Sequence, residues 1–141
     1  MASISRFLFR ATEEELFRHE ENLRRYRLRK WEITSCRPPA MERVDGSRTV
    51  CALEATVERL MEDRRLKHLE ERIVPVECAV SLLKDRNPEL YRLVELKYFH
   101  KLSMPEVMAE MAVSEREYYR KRREAIELVA PFLFGAYAID A

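Results

Sequence analysis

The residues best suited to chemistry lie in a basic stretch near the C-terminal end of the sequence. If this stretch is helical, Arg116, Tyr119, Arg120 and Arg123 share one face, because an α-helix repeats every ~3.6 residues. An arginine can bond bidentately to a guanine edge, and a tyrosine ring can pack on a thymine methyl group. The face therefore predicts contacts with base edges in the major groove of DNA.

Phosphate contacts are expected around the same stretch. The run Arg120–Arg123 attracts phosphates whatever the base sequence, and the amide groups at a helix start can bind an anion. Some of the expected phosphate ligands are cations of this run, and the others lie at or just before the starts of two helices predicted below. The full set is Lys101, Ser103, Ser114, Lys121 and Arg122. The alternative is a solvated basic face with i,i+4 pairs such as Arg120–Glu124.

Two capping signals determine how the basic stretch is presented. Ser103 and Ser114 are each followed three residues later by a glutamate, the pattern of a capping box. They predict helices over 104–111 and 115–129 with a short turn between them, and two helices joined in this way form a helix-turn-helix. The second helix of such a unit enters the major groove. Its inward face is predicted to carry Tyr118, Ala125, Ile126 and Val129.

Further helices are predicted upstream of this pair. Thr12 opens a helix with an apolar stripe over 13–33, and Thr34–Ser47 contains paired prolines and an Asp-Gly turn, which predict a linker. A second helix starts near Thr49, and Pro75 should kink or break it. Its expected inward residues are Val50, Leu53, Val57 and Leu60. A shorter helix over 89–99 should bury Leu90, Leu93, Val94 and Tyr98.

Composition limits the chain to a helical fold. Its 141 residues include only two glycines, where average usage gives about ten, and hairpin turns and phosphate-binding loops need glycine for positive φ. We therefore predict an all-α fold with long N-terminal helices followed by a C-terminal helix-turn-helix domain. The expected segments are an N-terminal helix with its linker (1–48), a long kinked helix (49–87), the helix-turn-helix domain (88–130) and an apolar tail (131–141).

Other chemistries find no support in the residue pattern. The three cysteines form no CxxC pair and the three histidines lie far apart, so we expect no metal site. The sequence has no supporting motif for a Ser/His/Asp or Cys/His catalytic site. We therefore expect no enzyme activity, cofactor or small-molecule substrate. No apolar run approaches the roughly 20 residues that span a bilayer, so a membrane is not an expected partner. A net charge of +1 requires any basic surface to be local.

Three segments of the sequence resemble a known family. Residues 93–99 read LVELKYF, residues 102–114 read LSMPEVMAEMAVS, and residues 119–126 read YRKRREAI. Together they resemble a sigma-factor region-4-like helix-turn-helix, and within that class the ArpU/RinA-type phage and prophage transcriptional regulators. The resemblance covers 88–129 well and is loose over 49–87.

The resemblance implies a sequence-specific, double-stranded DNA-binding transcription regulator in the cytoplasm of a bacterial host cell. The helix 115–129 would lie in the major groove. Its base contacts would come from Glu115, Arg116, Tyr119, Arg120 and Arg123. Two positions depart from the pattern: Ala112 stands where relatives usually have glycine, and Glu115 stands where a cation is frequent.

Two other functions fit the same pattern: a small-terminase-like DNA-packaging adaptor, and a helix-turn-helix used for protein interaction, for instance with RNA polymerase. The apolar tail over 130–139 predicts a homodimer, or packing onto 49–86. The basic cluster Arg24–Lys30 is either an exposed face balanced by nearby glutamates or a second contact with DNA or polymerase. Trp31 is expected to be a packing anchor.

Overall fold

The computed structural model describes residues 4–35 and 46–135, except for the side chains of 46–52. The regular elements of this part of the chain are all helices, which confirms the all-α prediction. None of its helices is long and apolar enough to cross a membrane. The helices are α1 (Arg6–Ser35), α2 (Gly46–Glu62), α3 (Arg64–Arg86), α4 (Pro88–Val94) with a following π-helical turn (Glu95–Phe99), α5 (Met104–Met111) and α6 (Glu115–Phe134).

The first helix begins earlier than its capping pattern indicates. Ser5 accepts a hydrogen bond from the Leu8 amide at 3.2 Å and takes the place of the cap. Thr12 lies inside α1, fully buried, and its hydroxyl donates to the Leu8 carbonyl at 2.7 Å. The predicted start at Thr12 is therefore wrong, because burial of the apolar residues before it extends the helix toward the N-terminus.

The break predicted at Pro75 lies at Asp63 instead. Asp63 separates α2 from α3 and accepts a hydrogen bond from the Leu66 amide at 3.0 Å, as a cap does. The α3 helix continues through Pro75, which removes one backbone donor. The helix is held there by burial of its neighbours Ile73 and Val76.

The predicted inward face of the second helix is also wrong in part. Leu53 and Val57 are exposed, and Leu60 is half-buried. The predicted linker Thr34–Ser47 is shorter than expected, since α1 includes Ser35 and α2 begins at Gly46. The remainder of that linker lies outside the described residues.

Two compact units divide the chain, with boundaries inside α1 and inside α3. The larger unit comprises 1–20 and 72–141, and the smaller unit comprises 21–71. The predicted division into 1–48, 49–87, 88–130 and 131–141 stays a prediction.

The larger unit contains the hydrophobic core of the described residues. The apolar face predicted for α4 and the turn after it is confirmed, with Tyr98 among the largest fully buried side chains. The main cluster draws on α1, α3, α4, the π-helical turn and α6: Leu16, Val76, Ala79, Leu83, Leu90, Val94, Tyr98, Ala125, Ile126 and Val129.

The smaller unit buries few apolar side chains. Among its described residues, Ile33 and Leu66 are the buried hydrophobic ones. Trp31 is 64% exposed, so its predicted role as a packing anchor is wrong.

The last helix extends beyond its predicted end. We expected it to stop at Val129 or Ala130, but α6 continues through Pro131 to Phe134. Phe134 packs against Leu8 and Ala130, so this part of the apolar tail lies against α1 within the larger unit. Residues 136–141 of the predicted tail lie outside the described part of the chain.

Candidate nucleic-acid interface

A small core joins the two helices that carry the predicted site. Leu93, Val107 and Tyr118, from α4, α5 and α6, are buried together. Partly buried residues around them include Leu102, Met108, Met111 and Val113. The basic helix is thus packed against α4 and α5 through its inner face.

The turn between α5 and α6 adopts the left-handed conformation expected at a helix end. Ala112 has φ 53° and ψ 47°, and the Val113 amide donates to the Met108 carbonyl at 3.2 Å, which closes the end of α5. An alanine in this region costs about 1–2 kcal/mol. The conformation explains why glycine would suit this position, and it places a locally strained residue at the end of α5, in the turn that leads to α6.

Both predicted helix starts have capping hydrogen bonds. The Ser103 amide donates to the Glu106 carboxylate at 2.9 Å, and the Ser114 hydroxyl accepts from the Glu117 amide at 3.2 Å. Both serines are exposed, as is Lys101 with its φ of 56°. The Ser103 amide is occupied by Glu106, so a phosphate contact by Ser103 would fall to its hydroxyl.

The two faces of α6 divide as the periodicity predicts. Tyr118, Ala125, Ile126 and Val129 are buried. On the opposite side, Arg116, Tyr119 and Arg120 are exposed in the first turns of the helix, together with Glu115. Within the described residues, neither Arg116 nor Arg120 forms an ion pair, so the alternative pair Arg120–Glu124 is not made. Two guanidinium groups are thus free to bind an external acceptor.

Two other cations of α6 have partners on the protein surface. Arg123 Nε lies 3.1 Å from Glu127, one turn along the helix. Lys121 Nζ lies 2.6 Å from Glu89 of α4, and this hydrogen bond lowers the pKa of Glu89. Glu89 would therefore compete with a phosphate for the charge of Lys121.

Arg122, one of the predicted phosphate ligands, has a partner within the protein. Its guanidinium donates to both carboxylate oxygens of Glu13, at 3.0 and 2.7 Å, and lies 5.0 Å from the centre of the Phe9 ring. Burial opposes the charged form of Arg122, but Glu13 outweighs it and raises the pKa of Arg122 above its usual value. A phosphate contact by Arg122 stays a prediction, and it would have to compete with the carboxylate that the fold provides for this cation.

Sequence reasoning missed the polar network around Arg122. The Tyr98 hydroxyl also donates to Glu13, at 2.7 Å, and Lys97 donates to the Tyr118 hydroxyl at 2.6 Å. Burial alone raises the pKa of Glu13, but the hydrogen bonds from Arg122 and Tyr98 hold that pKa below its usual value. No short-range signal could have revealed this, since Glu13 and Arg122 are 109 positions apart.

The second basic cluster, Arg24–Lys30, is largely compensated by acidic neighbours. Arg24 and Arg25 both pair with Glu21, at 3.2 and 3.3 Å. Arg29 pairs with Glu32 at 3.2 Å. These contacts support the interpretation of the cluster as a balanced, exposed helix face.

The described part of the chain is all-α, with exposed arginines at the start of a capped helix. A family model for ECF sigma factors matches residues 29–128, which is more than half of the chain. The chain therefore belongs to the ECF sigma factor family. No curated protein and no solved structure matches it. Sigma-70 family domains are DNA-binding regulators of transcription rather than enzymes. Within 4–35 and 46–135, no group of three or more His, Cys, Asp or Glu side chains could hold a metal ion.

Proposed function

We propose that the protein is a sequence-specific regulator of transcription that reads double-stranded DNA with the N-terminal half of α6. The observation that carries the proposal is the pair Arg116 and Arg120, one helical turn apart, exposed and without ion pairs among the described residues. A free guanidinium can bond bidentately to guanine in the major groove. In this proposal α5 and α6 form the helix-turn-helix, with Tyr119 and Glu115 beside the two arginines.

The phage or prophage type is part of the same proposal. It is supported by the likeness of 88–129 to ArpU/RinA-type regulators, whereas the family match over 29–128 supports only the coarser sigma-factor-like function. A sigma-like protein acts with RNA polymerase, which we propose as a partner in the cytoplasm of a bacterial host. Near its C-terminal end, α6 exposes two apolar residues one turn apart, Leu128 and Phe132. They support a homodimer joined near the C-terminal end of α6.

The test of DNA reading compares a base contact with a phosphate contact. A site is first selected from random duplexes with the wild-type protein. Arg120→Ala and Arg116→Ala should each cost about 1–3 kcal/mol on the selected site and relax preference at one base pair. Lys101→Ala, at an exposed cation outside α6, should weaken selected and random duplexes alike and reduce the salt slope by about one.

Binding is measured by fluorescence anisotropy across a salt series, after circular dichroism shows that each variant is folded. An unchanged ratio of selected to random affinity in both arginine variants contradicts reading by α6. An absence of salt-dependent DNA binding by the wild type would favour the protein-interaction function. Light scattering separates a dimer from the ring of many subunits that a packaging adaptor forms.

A further inference from the structure

A salt bridge connects the first helix of the chain to the proposed reading helix. Glu13 of α1 accepts two hydrogen bonds from Arg122 of α6, and a bidentate pair fixes orientation as well as distance. The side chains are 13% and 25% exposed, so solvent competes little for either group. Phe9 lies on one side of the guanidinium, 5.0 Å from ring centre to Cζ, and further restricts it.

A second polar contact holds the same helix one turn earlier. Tyr118 accepts a hydrogen bond from Lys97 at 2.6 Å, and Lys97 lies in the π-helical turn Glu95–Phe99. The turn also contributes Tyr98, which donates to Glu13 at 2.7 Å. Burial and the nearby Arg122 lower the pKa of Lys97. Tyr118 and Arg122 lie four residues apart on the inner face of α6. Their contacts together restrain the rotation of the helix about its axis.

Rotation of α6 determines which side chains a DNA groove would meet. Successive residues of a helix differ by about 100° in direction, so a modest rotation would turn Arg116 and Arg120 away from the base edges. We propose that Glu13 is a positioning residue for DNA reading, acting through Arg122 to hold α6 in the orientation that presents Arg116 and Arg120. This inference rests on the proposed function.

Positioning by Glu13 and direct phosphate binding by Arg122 predict opposite effects on DNA affinity when Glu13 is removed. If Arg122 positions the helix, removing Glu13 weakens specific binding. If Arg122 is a phosphate ligand that Glu13 restrains, removing Glu13 frees a cation and tightens binding to every duplex. Glu13→Gln keeps the size of the side chain while it removes the charge, so it separates the two roles.

The experiment measures affinity for the selected and a random duplex across a salt series, well below the melting temperature of each variant. Glu13→Gln and Arg122→Met should each lose between about fivefold and about 150-fold in affinity for the selected site, the range of one lost base contact. Random affinity and the salt slope should stay as in the wild type. The double variant should lose no more than either single variant, because both remove the same contact.

Further variants keep the test decisive. If Arg122→Met does not fold, Arg122→Lys replaces it: the cation is kept but the bidentate fork is lost, and a smaller loss of selected affinity is expected.

Arg120→Ala serves as the reading control. If Arg120→Ala lowers the selected-to-random ratio and Glu13→Gln does not, positioning by Glu13 is wrong while reading by α6 stands. If Arg120→Ala and Arg116→Ala both leave the ratio unchanged, the proposed function itself fails. Tighter binding to both duplexes in Glu13→Gln, with a salt slope lower by about one in Arg122→Met, would overturn the proposal in favour of phosphate binding.

Discussion

The two units of the chain are stabilised in different ways. In the larger unit, side chains from α1, α3, α4, the π-helical turn and α6 form a core that includes fully buried Tyr98 and Ile126. In the smaller unit, described contacts are mainly polar: Arg29 binds Asp63 at 2.6 Å, and Tyr26 donates to Glu70 at 2.9 Å. Apolar burial is insensitive to moderate salt, whereas exposed ion pairs are screened by it.

The smaller unit also leaves apolar side chains in contact with solvent. Leu53, Val57 and Met61 of α2 are each more than half exposed. Their exposure means that removing one of them loses little buried area. A leucine-to-alanine substitution should therefore lower the free energy of unfolding much more in the larger unit than in the smaller one.

The largest effect is expected from a core leucine of the larger unit. Leu93→Ala removes a fully buried side chain and should lower the free energy of unfolding by about 2–5 kcal/mol. Leu53→Ala, at a residue 59% exposed in the smaller unit, should change it by less than about 0.5 kcal/mol. Urea denaturation followed by circular dichroism measures both. Equal losses at the two sites would contradict the contrast between the units.

A buried histidine in the larger unit predicts that its stability depends on pH. His19 is 5% exposed, its ring lies 5.3 Å from that of Phe99, and its Nδ1 has no hydrogen-bond partner among the described residues. Burial lowers the pKa of His19, against the opposing charges of Glu77, Glu20 and Glu15. The unfolded chain therefore binds the proton at a higher pH than the folded one, and stability falls as pH falls below about 6.5.

We expect the free energy of unfolding of the wild type to decrease from pH 7.5 to pH 5.5. Protonation of His19 alone contributes at most about 1.4 kcal/mol per pH unit to this decrease. His19→Leu should decrease less over the same interval. His68→Leu, at an exposed histidine of the smaller unit, is the matched control and should behave like the wild type. Urea midpoints at the two pH values make the comparison. A parallel decrease in wild type and His19→Leu would exclude His19 as the source.

The ion pair and the cap at Asp63 can be separated in the smaller unit. Asp63→Ala removes the cap of α3 and the partner of Arg29, and should cost about 1 kcal/mol from the cap, with a further loss from the ion pair. Asp63→Asn keeps a capping oxygen but not the charge. The difference between wild type and Asp63→Asn should shrink in about 1 M salt, because the ion pair is screened. A salt-independent difference would show that the pair does not stabilise the smaller unit.

The smallest effect is a gain in stability at the turn before α6. Ala112→Gly relieves the cost of φ 53° and should raise the free energy of unfolding by about 0.5–1 kcal/mol, the gain being limited by the greater freedom of glycine in the unfolded chain. Ala109→Gly, inside α5, should instead lower it by about 0.5–1 kcal/mol. Thermal unfolding of the two variants, read against the wild type, checks the sign. Destabilisation by both glycines would mean that the turn does not strain Ala112.

The region 88–134 could be predicted well because its signals are local. Ser103 with Glu106 and Ser114 with Glu117 determine where α5 and α6 begin, and the 3.6-residue period separates the buried face of α6 from the exposed one. The end of α6 could not be predicted, because its last turn depends on Phe134 packing with Leu8. That contact is invisible in the local pattern.

The upstream half shows where local signals fail. Thr12 has the pattern of a cap, but the fold buries it in the middle of α1. Pro75 has the pattern of a breaker, but neighbouring buried residues keep α3 continuous. In both places the free energy of burying apolar side chains exceeds the local preference of one residue.

The sequence by itself determined the helical class, the capped starts of α5 and α6 and the face on which Arg116 and Arg120 lie, because these depend on residues within a few positions of one another. Only the tertiary structure decided that Arg122, one turn from Tyr118, binds Glu13 rather than solvent. Tyr98 and Glu13 meet across 85 positions, and Arg122 and Glu13 across 109. Such contacts follow from how helices pack around a shared core, and helical periodicity carries no information about them.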